Sequence, residues 1–262
     1  MTRSAEVAMK DILSYPLAPE QAALWFLGQA GYVLRGSDVT LAIDPYLSDS
    51  AAAVAPELAR AVPVPFEPEA LRVDLYVVTH DHLDHLDPDT VTRYPHKATT
   101  TFVAPRLACR KLAELGVPPE NIVKVDAGGR ATVRGVRFDG VWAVPTGPDV
   151  PDTCGYRLEL PSGRSVYHSS DTAWSDLLPQ NAPRAEVLLV CINGKWGNLD
   201  AEQAARLTAS VRPRFAVPNH YDMMTVNSAD PQAFARAART LALDAEAQVL
   251  KIMDPFVWGP EE

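Results

Sequence analysis

The apolar positions in the first part of the chain form short runs that predict β-strands. Three strands are predicted, at residues 24–27, 32–35 and 39–44. The glycine-containing segments 28–31 and 36–38 separate them, and such short connections favour an antiparallel meander. The residues before this meander are expected to be a polar arm. Residues 48–68 are rich in alanine and proline, and they predict an ordered loop because proline blocks both helices and central strands.

Beyond this loop, apolar runs typical of strands alternate with helical patterns. Strands are predicted at 75–79, 122–125, 187–192, 215–218 and 248–252, hairpins over 131–144 and 156–167, and helices at 89–94, 106–115, 201–210 and 231–243. Each half thus combines a meander with α/β alternation, which predicts an α/β (α+β) fold of two face-to-face sheets with helices outside. We expect a single domain over 1–262, built from two pseudo-repeated halves at roughly 20–140 and 141–258.

Composition and charge narrow the classes of partner. The 262 residues include 24 Lys+Arg and 33 Asp+Glu, a net charge of −9, so no nucleic-acid partner is expected. The sequence has neither a signal-peptide pattern nor an apolar run long enough to span a bilayer, so no membrane partner is expected. The three cysteines show no C-x-x-C spacing, which favours a reducing, cytoplasmic location. A small-molecule substrate is expected, and a homo-oligomer is left open.

Histidine gives the main chemical clue, because three of the six histidines fall within residues 80–85. In an extended segment residues i and i+2 point the same way, so His80 and His82 can chelate one cation together. Asp84 and His85 follow where the chain should turn into a helix, and they offer a second ligand set. Imidazole and carboxylate ligands favour zinc, manganese or iron, and paired metals form hydrolytic sites. The alternative is a solvated acidic loop.

Two later segments offer further metal ligands. Asp171 and His220 each follow a predicted strand, and functional side chains often lie at such strand ends. Taken alone, a polar residue in this position is usually structural. Together with the histidine cluster, both become candidate ligands.

These motifs resemble the metallo-β-lactamase fold, whose signature matches His80-x-His82-x-Asp84-His85. The closer resemblance is to the branch that includes L-ascorbate-6-phosphate lactonase. The segments that carry it are 25–31, 43–48, 79–87, 167–172, 192–198 and 217–222. The resemblance implies a four-layer αββα sandwich with the metal site at one edge.

The resemblance also implies a role for each ligand. His80 and His82 would hold a first metal, Asp84, His85 and His220 a second, and Asp171 would bridge the two. Asp44 resembles a carboxylate that orients the ligand loop. The alternative for Asp44 is a turn-forming residue before Pro45.

One departure from the family pattern concerns the loop between the halves. Most members supply a further histidine there, whereas residues 144–149, around Thr146, contain none. The expected cofactor is therefore one or two divalent ions, with zinc and manganese favoured.

The predicted function is a metal-dependent hydrolase that opens a lactone or ester-like bond with a metal-activated water. Asp84 would orient this water and take its proton. Asn193, Lys195, Trp196 and Tyr221 are the predicted substrate-binding residues, with Lys195 facing either an anionic substrate group or solvent. A phosphodiesterase and a metal-binding regulatory pseudoenzyme are the alternatives.

Overall fold

Fourteen strands and seven α-helices form the part of the chain described by the computed structural model, residues 5–260. The strands are β1 (Ala22–Gly28), β2 (Gly31–Arg35), β3 (Thr40–Ile43), β4 (Leu75–Val77), β5 (Thr101–Ala104), β6 (Ile122–Lys124), β7 (Arg130–Val133), β8 (Val136–Trp142), β9 (Cys154–Glu159), β10 (Ser165–His168), β11 (Val187–Cys191), β12 (Phe215–Asn219), β13 (Glu246–Ala247) and β14 (Pro255–Trp258). The helices are α1 (Ala5–Ser14), α2 (Ser50–Val54), α3 (Pro88–Arg93), α4 (Arg106–Glu114), α5 (Leu178–Asn181), α6 (Ala201–Val211) and α7 (Pro231–Leu241). Across residues 5–260, every helix is too short or too polar to traverse a lipid bilayer.

The strands form two seven-stranded mixed sheets of the same plan. The first has the order β14-β1-β2-β3-β4-β5-β6 and the second β13-β12-β11-β10-β9-β8-β7. In each sheet an antiparallel meander continues into parallel strands: β3 to β6 in the first, β10 to β13 in the second. One apolar core joins residues of both sheets, such as Phe26 and Leu158. The architecture is the α/β sandwich that the sequence predicted.

Alternation of side chains along β1 shows how the layers form. Leu24 and Phe26 lie in the core shared by the two sheets, whereas Trp25 and Leu27 lie in a second core on the opposite face. Helices α1 and α4 contribute to that second core, so they cover the outer face of the first sheet. A strand buried on both faces must be apolar throughout, which explains the uninterrupted run of β1.

The parallel strands fix where the functional residues lie. Successive parallel strands run in one direction, so the segments that follow β4, β10 and β12 leave the sheets at corresponding ends. Residues 80–85 follow β4, Asp171 follows β10 and His220 follows β12. The fold therefore brings the candidate ligands from both sheets to one edge of the sandwich.

The structure differs from the sequence prediction in several elements. The predicted polar arm contains α1, whose Met9 and Ile12 are buried. The predicted loop 48–68 contains α2. No strand spans 248–252, where a single bridge joins Ile252 to Phe26, and the flanking segments form β13 and β14 instead.

The division of the sheets also departs from the predicted halves. Residue 140 falls inside β8 of the second sheet, and β14, which was placed in the second half, is a strand of the first sheet. Strand β5 and helix α5 were not predicted. Both are only four residues long.

Candidate metal centre

The loop after β4 carries the histidine motif and turns sharply. The backbone N–H groups of His85 and Leu86 donate to the carbonyl oxygen of His82, at 3.0 and 2.7 Å. Asp87 then caps α3 by accepting from the backbone N–H of Asp89 at 3.1 Å. This turn brings Asp84 and His85 back towards the strand end, as the spacing predicted.

The candidate ligands form two groups. Within each group the ligand atoms lie within 4.8 Å of one another, so each group could hold a cation. One consists of His80, His85 and Asp171, and the other of Asp84, His85 and His220. His85 belongs to both. The two groups therefore form one continuous cluster, in which five of the six predicted ligands come together.

Asp171 lies between the two groups. Its Oδ1 is 3.3 Å from Nε2 of His85, and its Oδ2 is 3.2 Å from Nε2 of His220. Asp84 Oδ2 lies 3.3 Å from the same His220 nitrogen. Asp171 therefore contacts a histidine with each of its carboxylate oxygens, and its bridging role stays a prediction.

His82 lies at the margin of the cluster and belongs to neither group. Its Nδ1 is 3.1 Å from Nε2 of His80, so these two nitrogen atoms face each other. Its Nε2 is 3.0 Å from Oδ2 of Asp149. Asp149 belongs to the loop between the halves. Most members of the resembled family supply a further histidine from that loop, and this chain has none there.

Other side chains hold the ligands in place. Asp44 is fully buried, and its Oδ2 lies 2.7 Å from Nδ1 of His85. The backbone N–H and the hydroxyl of Thr79 donate to the same carboxylate at 2.8 and 2.6 Å. Asp44 therefore has the orienting geometry expected of it, because a fixed Nδ1 leaves Nε2 of His85 facing the cluster.

Three amide side chains complete this support, and none of them was predicted from the sequence to act at the site. Gln29 donates from Nε2 to Asp84 Oδ2 at 2.6 Å, and Asn198 donates to Asp171 Oδ2 at 2.7 Å. Nδ2 of Asn227 lies 2.9 Å from Nδ1 of His220. Gln29 and Asn198 stand inside the family-like segments, which was the available signal, whereas nothing in the sequence marked Asn227.

Burial and opposite charges set the ionisation of the cluster. Burial disfavours the charged form of His220, but Asp171 and Asp84 outweigh it and raise its pKa to about 9. The same carboxylates overcome burial at His85 and hold its pKa well above the usual range. Burial, reinforced by His85, lowers the pKa of His80 well below normal. For Asp84, burial alone would raise the pKa, but His85 and His220 keep it well below its usual range.

The donor set fits a divalent cation. His85 Nε2 and Asp171 Oδ1 are both buried, and neither makes a hydrogen bond. Buried polar atoms are normally hydrogen-bonded, so two ligand atoms that lie 3.3 Å apart without a hydrogen bond indicate a further shared partner. Imidazole nitrogens and carboxylate oxygens together suit a transition-metal ion.

The predicted substrate-binding residues divide into two sets. Trp196 lines the cleft beside the cluster, together with Asp84, Asp171 and His220. Lys195, Tyr221 and Asn193 are not among the lining residues. The Lys195 ammonium group donates to the carbonyl oxygen of Val226 at 2.6 Å. In this structure the Lys195 ammonium group thus contacts the backbone, and its role towards a substrate stays a prediction.

Comparison with known proteins adds to this geometry. The model of the beta-lactamase superfamily domain matches residues 40–221. A UPF0173 metal-dependent hydrolase from Thermococcus onnurineus is 30% identical over 218 residues, 80% of this chain and 89% of the relative. Another from Hyperthermus butylicus is 29% identical over 229 residues, 86% of this chain and 95% of the relative.

Solved structures share the fold. A metallo hydrolase from Ignicoccus hospitalis has a TM-score of 0.73 at 23% identity, over 92% of this chain and 100% of that one. An isothiocyanate hydrolase from Delia radicum gut bacteria has the same TM-score at 17% identity, over 90% of this chain and 99% of that one. At these identities, the likeness shows the α/β sandwich alone.

Proposed function

The chain belongs to the beta-lactamase superfamily, in its UPF0173 family of metal-dependent hydrolases, and from that premise we propose that it hydrolyses a lactone or a related ester-like bond of a small molecule. The observation that supports this proposal is the open side of the ligand cluster. Asp84, Asp171 and His220 line a cleft of about 630 Å³, so a substrate bond can reach the ligands directly.

We propose one or two divalent ions, zinc or manganese, as the cofactor. His80, His85 and Asp171 would hold one ion, and Asp84, His85 and His220 the other. When bound, such an ion supplies Lewis-acid polarisation and lowers the pKa of a coordinated water to near neutrality. His82 would join the first group through the nitrogen that faces His80.

Asp84 is the residue proposed to move the proton. It lines the cleft, and its pKa is held well below the usual range, so it stays an ionised acceptor at neutral pH. Gln29 donates to its Oδ2 at 2.6 Å and fixes the direction of the carboxylate. A carboxylate held in this way can orient an attacking water, and because its low pKa makes it a weak base it would pass the proton on rather than keep it.

Replacing Asp84 with Ala should reduce kcat by about a thousandfold, because a general base and a ligand are lost together. Steady-state kinetics on the metal-loaded variant measure the effect. Asp89→Ala is the matched control, since Asp89 is an exposed carboxylate in the same segment. Near-normal turnover of Asp84→Ala would remove Asp84 from this role.

A substrate panel tests the bond that is hydrolysed. The zinc- or manganese-loaded protein is assayed on γ-lactones, on aryl esters and on bis-p-nitrophenyl phosphate. Preference for the lactones and esters supports the proposal, whereas preference for the phosphodiester favours a phosphodiesterase. Metal content below about a tenth of an equivalent, without activity after reconstitution, would favour the regulatory pseudoenzyme.

A further inference from the structure

Six apolar side chains in the lining of the cleft form what we call the apolar wall. They are Ala51, Val54, Leu58, Leu83, Trp196 and Met224. Two segments provide most of them: α2 with the turn that follows it, and the loop after β11. The cleft is thus lined both by candidate ligands and by apolar side chains.

Two of these side chains are exposed although they are large and apolar. Val54 is 71% exposed and Trp196 is 57% exposed. Single exposed apolar residues are common on proteins, but apolar residues grouped around a concave site mark a surface that contacts a ligand. Burial within the protein does not account for the position of either side chain.

The backbone conformation of Trp196 also indicates a surface that contacts a ligand. Its φ is 50°, a left-handed conformation that bulky residues rarely adopt. The next residue, Gly197, packs so closely that an added Cβ would lie 2.9 Å from the carbonyl oxygen of Thr146. Asn198 then bonds to the ligand Asp171. The loop is thereby fixed to the metal cluster, and unfavourable backbone conformations retained in this way are typical of functional sites.

The apolar wall offers no cationic side chain to an anionic group of a substrate. Among the lining residues in the described part of the chain there is no lysine or arginine, and Asp84, Asp149 and Asp171 are acidic. Lys195 points to the carbonyl oxygen of Val226. Arg60, which lies beyond α2, donates to the carbonyl oxygens of Tyr46 and Val62 at 2.8 and 3.1 Å. A phosphate or carboxylate on the substrate would therefore meet no cationic side chain on this wall.

We infer that the substrate carries an uncharged apolar group, an alkyl chain or aryl ring, next to the bond that is cleaved. This group packs against Val54, Leu58 and Trp196 while the reacting carbonyl faces the ligands. The inference rests on the proposed function for the bond, but the apolar group is argued from the wall alone. It departs from the anionic substrate that Lys195 suggested in the sequence.

A homologous series of substrates tests the inference. γ-Lactones with alkyl tails of increasing length should show kcat/KM rising about two- to fourfold per methylene until the wall is covered. Trp196→Ala should flatten this dependence. Trp142→Ala is the matched control, because Trp142 is also exposed and does not line the cleft.

Binding of an uncleaved analogue separates this inference from the proposed function. Calorimetry with the metal-loaded protein compares 5-hexylpyrrolidin-2-one with pyrrolidin-2-one, two neutral lactams. The hexyl compound should bind at least about tenfold tighter, and Val54→Asp, at an exposed position, should remove most of the difference. A tail-dependent lactam affinity supports the inference even if no lactone is hydrolysed. Equal affinities, or a difference that survives both Val54→Asp and Trp196→Ala, would overturn it.

Discussion

The orientation of His85 depends on Asp44, a carboxylate that has no contact with the cleft. It accepts hydrogen bonds from Thr79 and lies against Nδ1 of His85 with no exposure to solvent. A buried partner of this kind fixes both the direction of the ring and the nitrogen that carries the proton. The affinity of the cluster for a metal therefore depends on a residue that supplies no ligand atom itself.

Asp44→Asn is expected to weaken metal binding by about 10- to 100-fold, the usual effect of losing a partner behind a histidine ligand. Competition with a chelating dye measures the affinity directly. Asp74→Asn is the matched control, since Asp74 accepts from the backbone N–H of Thr40 at 2.9 Å and lies away from the cluster. Equal metal affinity in Asp44→Asn and the wild type would contradict this role.

Asp149 contacts His82 as Asp44 contacts His85, but Asp149 lies at the surface. Its side chain is 69% exposed, so water screens the interaction. Asp149→Asn should therefore weaken metal binding by no more than about threefold, the scale of an exposed pair. The same dye competition compares both variants, and a loss at Asp149 as large as that at Asp44 would show that exposure does not decide the effect.

At the residue scale, the sequence pointed to the candidate ligands and to Asp44 behind them, but not to the three amide side chains that contact the ligands. Spacing within residues 80–85 is local information, because neighbouring residues share one strand end. Gln29, Asn198 and Asn227 reach the cluster only through the packing of distant segments. The contact of Lys195 is equally non-local, because Val226, 31 positions further along the chain, provides the carbonyl that accepts its hydrogen bond.

At the scale of single elements, the periodicity of the long segments was informative and that of the short ones was not. Strands β11 and β12 and helix α6 lie close to their predicted bounds. Strand β5 is four residues of a Thr-rich segment, and its strand conformation depends on pairing with β4 and β6. The last strand begins at Pro255, which an edge position tolerates and a sequence pattern argues against.

Helix α6 illustrates how an element adjoins the substrate loop. Asp200 caps the helix by accepting from the N–H of Gln203 at 2.8 Å, and Gln203 accepts from the N–H of Asp200 at 3.1 Å. The preceding residue, Leu199, donates to the carbonyl oxygen of Thr172 beside the ligand Asp171. The capping box therefore fixes the helix at the point where the loop that carries Trp196 ends.

Asp200→Ala is expected to lower the free energy of unfolding by about 1 kcal/mol, the usual cost of a lost helix cap. Urea denaturation measures it. Asp176→Ala serves as the control, because Asp176 is an exposed aspartate whose side chain caps no helix in the described structure. If the two variants lose the same stability, the capping box does not stabilise α6.

At the scale of the whole molecule, the metal cluster joins the two sheets. His80, Asp84 and His85 follow β4 of the first sheet, whereas Asp171 and His220 follow β10 and β12 of the second. A cation bound to both sets holds the sheets together at one edge. Binding to the native state alone must then stabilise the fold.

A free metal concentration one hundred times Kd should raise the free energy of unfolding by about 2.7 kcal/mol. Removing the metal with a chelator should reverse this rise. Thermal unfolding followed by calorimetry, with and without chelator, measures the shift in Tm. The His220→Ala variant should show a smaller rise, since one sheet loses a ligand. A Tm that does not change when the wild type binds metal would show that the cluster does not join the sheets.

The antiparallel pairing of β14 with β1 affects how the chain folds during its synthesis. Ala22 pairs with Trp258, so one edge of an entirely buried strand is paired by a strand that is synthesised after the other thirteen described strands. A nascent chain on the ribosome must carry β1 without that neighbour until β14 has been synthesised. Exposed strand edges invite pairing with other chains. This topology therefore leaves a strand edge unpaired during synthesis that is covered once the chain has folded.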